Sequence, residues 1–154
     1  MKLSKFLGAV FLVFLLTVSH SVLANTNYSI NKPSFQTADD FYKNNVDKKD
    51  YLELTDAKLK VRKLIMVRDL PKIFDEEEWM NYPSSWKKYL KKDIKENTKD
   101  LSPEQQVYYF FSLKDDGKNM YIQDAMYYAK TKKIHSKGGG HWTKEQFKTK
   151  FEQN

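Results

Sequence analysis

Residues 102–117 read SPEQQVYYFFSLKDDG, and the predicted fold rests on how this stretch is interpreted. Ser102 followed by Pro103 is typical of a helix start, with a capping residue and then proline at the first helical position. Gln105 fits the same motif, because its side chain can bond back to the backbone of the cap. The run VYYFF after it is apolar on every side, which is typical of a buried helix. We therefore predict a central helix that ends at Gly117.

Helix signals also surround this segment. Capping residues at Thr37, Thr55 and Thr143 each precede a stretch with apolar residues at helical spacing. Asp75 begins a shorter helical turn that ends at Pro83. The same periodicity runs through 84–97 and 120–134. Short connections between these segments predict an all-α domain, either a small bundle or an orthogonal array of five to six helices.

The segment from Thr55 to Pro71 supports two secondary structures. Apolar side chains recur there at helical spacing, at Leu54, Ala57, Val61, Leu64 and Ile65. A second set also alternates as in a strand, at Leu59, Val61, Ile65 and Val67. The explicit cap at Thr55 favours the helix over the strand.

The first 24 residues have the three parts of a secretory signal peptide. Lys2 and Lys5 form a positive start, an apolar core runs through 8–18, and Val22-Leu23-Ala24 provides a cleavage site with small residues. The apolar core is too short to span a bilayer as a helix, which favours a cleaved signal over an uncleaved membrane anchor. We expect a protein that is periplasmic or secreted.

Residues 25–154 then form a single domain, with 25–34 as a loose leader. The chain has no cysteine, which excludes disulfides, a lipoprotein anchor, thiol catalysis and Cys-ligated zinc. Removal of the two signal lysines leaves 25 basic side chains against 20 acidic ones, a net charge of +5. Only Arg62 and Arg68 are arginine, and lysine is the poorer residue for reading nucleic acids. We expect a protein partner with an acidic surface or cleft, and no nucleic acid.

The most unusual local feature follows His135, where three of the five glycines of the chain stand together. We predict that this segment is a loop between two helices and that it binds a partner, through Lys137, Gly138, Gly139, Gly140, His141 and Trp142. Three alternatives stay open: a plain mobile linker, an anion nest before the helix at Thr143, and a metal site that uses His135 and His141. The metal site is the poorest of these, because two ligands are too few and spacing marks no third.

A second basic surface is predicted on the helix 84–97. Its apolar residues line one face, and lysines lie largely on the other, at Lys87, Lys88, Lys91, Lys92 and Lys95. Such a face is either solvated or in contact with an anionic membrane, a cell-wall polymer or an acidic protein.

The sequence contains no recognisable catalytic constellation. The G-x-S-x-G, H-E-x-x-H and S-x-x-K motifs are absent. Asp115-Asp116-Gly117 resembles part of a calcium loop, but Lys114 and Gln123 stand where ligands are required. We therefore predict no catalytic residue and no cofactor.

We conclude from the sequence that this is an exported, non-catalytic binding protein. The favoured subclass is a small periplasmic inhibitor or immunity-type protein that occludes an acidic partner, such as an enzyme that acts on the envelope. One alternative is a small secreted enzyme that uses His141 with a nearby carboxylate. Another is a secreted factor that contacts a membrane or host surface through its lysine-rich helix.

Overall fold

The computed structural model describes residues 34–152 and contains one four-stranded antiparallel sheet. Its strands are β1 (Leu59–Met66), β2 (Gln106–Asp115), β3 (Asn119–Tyr128) and β4 (Ile134–Thr143), and they lie side by side in chain order. The helices are α1 (Ala38–Asn44), α2 (Ser84–Asn97) and α3 (Lys144–Phe151), with two 3-10 helices at Val67–Asp75 and Glu77–Trp79. The predicted signal peptide and nearly all of the predicted leader lie outside the described residues.

The predicted all-α bundle is wrong, and the central error is at β2. Helices cover both faces of the sheet, so every side chain from Val107 to Leu113 is buried. Val107, Tyr109 and Phe111 face one core, while Tyr108 and Phe110 face the other. A strand that is buried on both faces reads as a continuous apolar run, and such a run cannot be distinguished from a buried helix by periodicity.

The neighbouring helix predictions fail for related reasons. The segment after Thr55 forms β1, so its alternating residues carried the correct signal, and the segment 120–134 is mostly β3. The glycine-rich segment is part of β4 and not a loop between helices. Asp115-Asp116-Gly117 lies at the hairpin turn between β2 and β3, where Gly117 has φ +87° and its N–H donates to Asp115 Oδ1 at 2.9 Å. Asp-Gly is a common hairpin signal, and this turn joins two strands.

Three of the predicted helices are confirmed, and two of them begin at the predicted capping side chains. The Thr37 hydroxyl accepts a hydrogen bond from the backbone of Asp40 at the start of α1. Thr143 and Gln146 form the predicted capping box of α3. The helix predicted at 84–97 has the observed bounds of α2. The helical turn predicted after Asp75 is a 3-10 helix of three residues.

The two faces of the sheet bury separate apolar clusters. We call them the α2 face and the α1 face after the helix that packs on each. On the α2 face, Trp79 and Trp86 are fully buried and pack with Phe111 and Phe147. On the α1 face, Phe41 of α1 stacks on Tyr108 with ring centroids 3.8 Å apart. The sheet is thus the middle layer of three.

A partly buried ion pair fixes the chain that follows α1 against β1. The guanidinium of Arg62 donates to both carboxylate oxygens of Glu53 at 2.7 Å, and also to Asp39 of α1 at 2.8 Å. Only 8% of the Glu53 side chain is exposed. Bidentate pairs of this kind add geometric specificity, so the segment between α1 and β1 has a defined position beside the sheet.

The 3-10 helix at Glu77–Trp79 provides a direct test of the α2-face core. Replacement of Trp79 by Ala should lower the free energy of unfolding by about 3–5 kcal/mol, because it leaves a cavity among Phe74, Trp86 and Phe111. The adjacent Met80 is 68% exposed, and Met80→Ala should change stability by no more than about 0.5 kcal/mol. Urea denaturation measures both, and equal effects of the two substitutions would contradict this packing.

Candidate binding site on the glycine-rich edge strand

Strand β4 forms one edge of the sheet and carries the glycines in its middle. Gly138, Gly139 and Gly140 pair with Asp124, Gln123 and Ile122 of β3. The opposite side of β4 has no strand partner within residues 34–152. Gly138 and Gly139 are exposed, and Gly140 is half-buried. The sheet therefore presents an open backbone edge that no side chain of these positions shields.

Close approach of other side chains explains why two of these positions are glycine. A Cβ atom at Gly138 would lie 2.6 Å from Oδ1 of Asp124, and one at Gly140 would lie 2.6 Å from the ring of Trp142. In contrast to Gly117, none of the three has a positive φ. The glycines thus make room for the side chains of Asp124 and Trp142.

A groove of about 690 Å³ runs along this edge on the α1 side, and we call it the glycine groove. One wall is the segment 48–52, which follows α1, and the other is formed by 121–124 and 137–141. Lys48, Lys49 and Lys137 bring positive charge to it, and Nζ of Lys137 lies 2.8 Å from Asp50. Leu52 contributes an apolar side chain that is 57% exposed.

Two lining residues of the glycine groove bury polar atoms that have no hydrogen-bond partner among the described residues. They are the hydroxyl of Tyr51 and Oε1 of Gln123. The Tyr51 hydroxyl lies beside Ser112 but not in hydrogen-bonding geometry. Burial raises the pKa of Tyr51, so this hydroxyl keeps its proton and stays a donor. Unsatisfied buried groups are uncommon in proteins, and both of these belong to residues that line the groove.

A second, smaller cavity of about 160 Å³ lies on the α2 face behind the same glycines, and we call it the acidic cavity. Asp93 of α2, Tyr109 of β2 and Asp124 of β3 line it together with apolar side chains. Burial raises the pKa of Asp124 to about 6, and the negative charge of Asp93 adds to this effect. Burial also raises the pKa of Asp93, with a further contribution from Glu96.

The structure divides the predicted partner-binding residues between the two faces of β4. Lys137 and His141 lie on the α1 face, because they pair with Ala125 and Tyr121. The His141 ring stacks on Tyr121 with centroids 4.8 Å apart. Trp142 is half-buried on the α2 face, where its ring meets Phe151 of α3. The six predicted residues are contiguous on one strand. Residues 137–141 line the glycine groove, and Trp142 does not.

The two histidines are not brought together. They stand six residues apart on one strand, a separation of roughly 20 Å. Nδ1 of His135 lies 2.8 Å from the Tyr128 hydroxyl, and its Nε2 lies 2.8 Å from the backbone oxygen of Asn97. Within residues 34–152, no three His, Cys, Asp or Glu side chains are grouped as metal ligands, and His141 forms no hydrogen bond with a carboxylate.

The predicted lysine face of α2 is partly neutralised by its own neighbours. Lys91 pairs with Asp75 at 2.6 Å, and Lys92 lies 3.7 Å from Glu96. Lys88 and Lys95 are exposed, and Lys87 is half-exposed. This helix is 14 residues long, and no helix in the described part of the chain is both long and apolar enough to cross a membrane.

No sequence pattern singled out five residues that line the groove or the cavity, which are Tyr51, Asp93, Tyr109, Gln123 and Asp124. For Asp124 a signal was present. Met120, Ile122 and Met126 alternate on the α2 face of β3, and Asp124 interrupts that apolar series. Once the segment is recognised as a strand, an acidic residue at an inward position marks a polar site.

No protein-family model, no curated protein and no solved structure matches this chain.

The burial of Asp124 predicts a specific pH dependence of stability. Its pKa is about 6 in the folded protein, against an ordinary value of 3.8. The folded state therefore binds the proton more tightly than the unfolded state does, and the folded protein loses stability as the pH rises from 3.8 to about 6. Asp124→Asn removes this cost and should be more stable than the wild type by roughly 2–3 kcal/mol at pH 7.5, with no advantage below about pH 3.

Urea denaturation across this pH range measures the difference. Glu78→Gln, a change at an exposed carboxylate, is the control and should alter stability little at any pH. A pH-independent difference between Asp124→Asn and the wild type, or a loss of stability at pH 7.5, would contradict the buried position of Asp124.

Proposed function

We propose that this protein is an exported, non-catalytic binding protein that holds an acidic segment of a partner protein in the glycine groove. The observation that carries the proposal is the open edge at Gly138–Gly140, which is bare of side chains and lies beside three lysines. Bare sheet edges and charged clefts both bind protein segments, and here the two coincide.

The backbone of β4 provides the first support. An unpaired edge strand presents N–H and C=O groups that can pair with an extended segment of another chain. Side chains on an edge strand often hinder such pairing, and glycine removes that hindrance at three successive positions. An incoming strand can therefore approach β4 closely and lie along the glycine groove.

The charge of the groove provides the second support. Lys49 is exposed and forms no ion pair with any described residue, and Lys48 and Lys137 flank the same groove. Lys137 is shared with Asp50, which holds its ammonium beside the glycines. Nζ of Lys48 donates to the carbonyl of Tyr42, so carboxylates on an incoming strand would meet chiefly Lys49 and Lys137. Charge complementarity of this kind favours one class of partner over others.

The chemistry of envelope enzymes indicates the kind of partner. Enzymes that cleave envelope polysaccharides work with paired carboxylates, so their clefts are acidic, and an acidic strand at the rim of such a cleft is the segment that the glycine groove would hold. The secretory signal predicted at residues 1–24 would bring this protein to the compartment where such enzymes act. These points support a periplasmic inhibitor or immunity-type protein that occludes an acidic partner.

Charge reversal at the groove tests the proposal. Lys49→Glu with Lys137→Glu should reduce partner binding by at least about tenfold, because two attractive contacts become repulsive. Lys88→Glu with Lys92→Glu changes the net charge equally but on α2, and it should leave binding within about twofold of the wild type. Thermal unfolding of each variant verifies that it is folded.

The assay should identify the contact as well as the partner. A photo-cross-linking residue at position 139 should capture a protein from an envelope extract, and the same residue at position 88 should not. Capture at 139 that is lost in the Lys49 and Lys137 variant, and kept in the α2 variant, supports the proposal. Equal capture by both variants, or capture from position 88 alone, would show that the glycine groove does not bind the partner.

A further inference from the structure

We propose that the acidic cavity is a binding site for a primary alkylammonium group, held by Asp93, Asp124 and Tyr109. This site lies on the α2 face, opposite the glycine groove, and the inference does not depend on the proposed function.

The polar end of the cavity offers acceptors that the protein itself leaves free. Among the described residues, the Asp124 carboxylate forms neither a hydrogen bond nor an ion pair, and only burial and the charge of Asp93 act on it. Tyr109 is 3% exposed and lines the cavity, and burial and nearby negative charges, with no hydrogen bond among the described residues, act on its hydroxyl. Asp93 accepts one hydrogen bond, from Asn97 at 3.1 Å, and keeps further acceptor capacity.

These acceptors match one functional group well. An alkylammonium has three N–H donors and one positive charge, and the cavity presents two carboxylates and one hydroxyl oxygen. A buried carboxylate at Asp124 beside the half-buried carboxylate of Asp93 is costly without a cation, and a bound ammonium would neutralise the pair. A divalent metal ion fits less well, because Ca²⁺ and Mg²⁺ require six or more oxygen ligands and no group of three His, Cys, Asp or Glu side chains suited to a metal occurs among residues 34–152.

The rest of the cavity fits a short hydrocarbon chain. Leu90, Ile94, Phe111 and Ile122 line it, and its volume is about 160 Å³. A cavity of about this size accommodates a molecule as large as benzene, so a four-carbon amine such as butylammonium fits. The apolar walls and the acidic end together specify an amine with a short aliphatic tail.

The glycine strand forms the entrance. Gly138 and Gly139 line both the acidic cavity and the glycine groove, and any side chain at 138 would collide with Asp124. The absence of side chains therefore leaves Asp124 reachable from the edge of the sheet. The ammonium group can belong to a free amine or to a lysine side chain of a segment that lies along the edge.

Titration of the purified protein with n-butylammonium chloride, followed by NMR chemical shifts of the amides around Asp124, tests the site. We expect saturable binding with a Kd of about 1 mM. Asp124→Asn and Asp93→Asn should each weaken binding by at least about tenfold, and Tyr109→Phe should weaken it less. The neutral isostere n-butanol should bind at least about tenfold more weakly than the amine.

Further probes identify the chemistry and its source. Tetramethylammonium, which has no N–H donors, and MgCl₂ should give no saturable shifts at Asp124. A short acidic peptide with one lysine, compared with the same peptide carrying norleucine, distinguishes the sources. A gain for the lysine peptide indicates a partner side chain, and binding of butylammonium without that gain indicates a free amine.

Three results would overturn the inference. They are the absence of saturable butylammonium binding, binding that is unchanged in both aspartate variants, and equal affinity for butylammonium and butanol. Because none of these measurements involves the partner protein, they can fail while the glycine groove still binds its partner, and the converse also holds.

Discussion

Burial of strand β2 on both of its faces holds this fold together. Its side chains enter two cores in strict alternation, with Tyr109 and Phe111 toward α2 and Tyr108 and Phe110 toward α1. Large aromatic side chains remove much apolar surface from water, and they contribute most of that burial here. This arrangement places β2 and β3 in the centre of the sheet and leaves β1 and β4 at its edges. The open edge that binds a partner in our proposal is a consequence of this order.

The site results from a second constraint, which is the steric collision that side chains in the middle of β4 would cause. Asp124 reaches over Gly138 and Trp142 over Gly140, so β4 can carry side chains at these two positions only if those groups move. The glycines therefore create two features at once. They expose the backbone of the sheet edge toward the glycine groove, and they leave Asp124 accessible at the mouth of the acidic cavity. Function on either side of β4 depends on the same three residues.

The starts of two helices could be predicted from the sequence, because capping depends on neighbouring residues only. Capping side chains act locally, so Thr37, Thr143 and Gln146 identified real helix starts. The same kind of signal at Ser102 was misleading, because the aromatic run after it is decided by long-range burial between two layers. A run such as VYYFF is compatible with a buried helix and with a strand buried on both faces. Its aromatic content and the Asp-Gly turn after it favoured the strand.

The candidate site could be predicted only in part, for the same reason. The glycine-rich segment was conspicuous in the sequence, but its neighbours Tyr51, Asp93 and Tyr109 are brought to it by the fold. No local pattern relates residue 51 to residue 139. Asp124 was an exception, because it interrupts an apolar alternation that becomes visible once β3 is recognised as a strand.

Amide hydrogen exchange, measured residue by residue through 137–141, is the sharpest test of the open glycine edge. An edge strand pairs alternate amides with β3 and leaves the others open to solvent, so protection should alternate along this segment while the amides of β2 exchange slowly throughout. Uniformly rapid exchange across 137–141 would mean that the segment is a loop. Uniformly slow exchange would mean that another part of the chain covers the edge. Either result would contradict the open edge on which the proposed function depends.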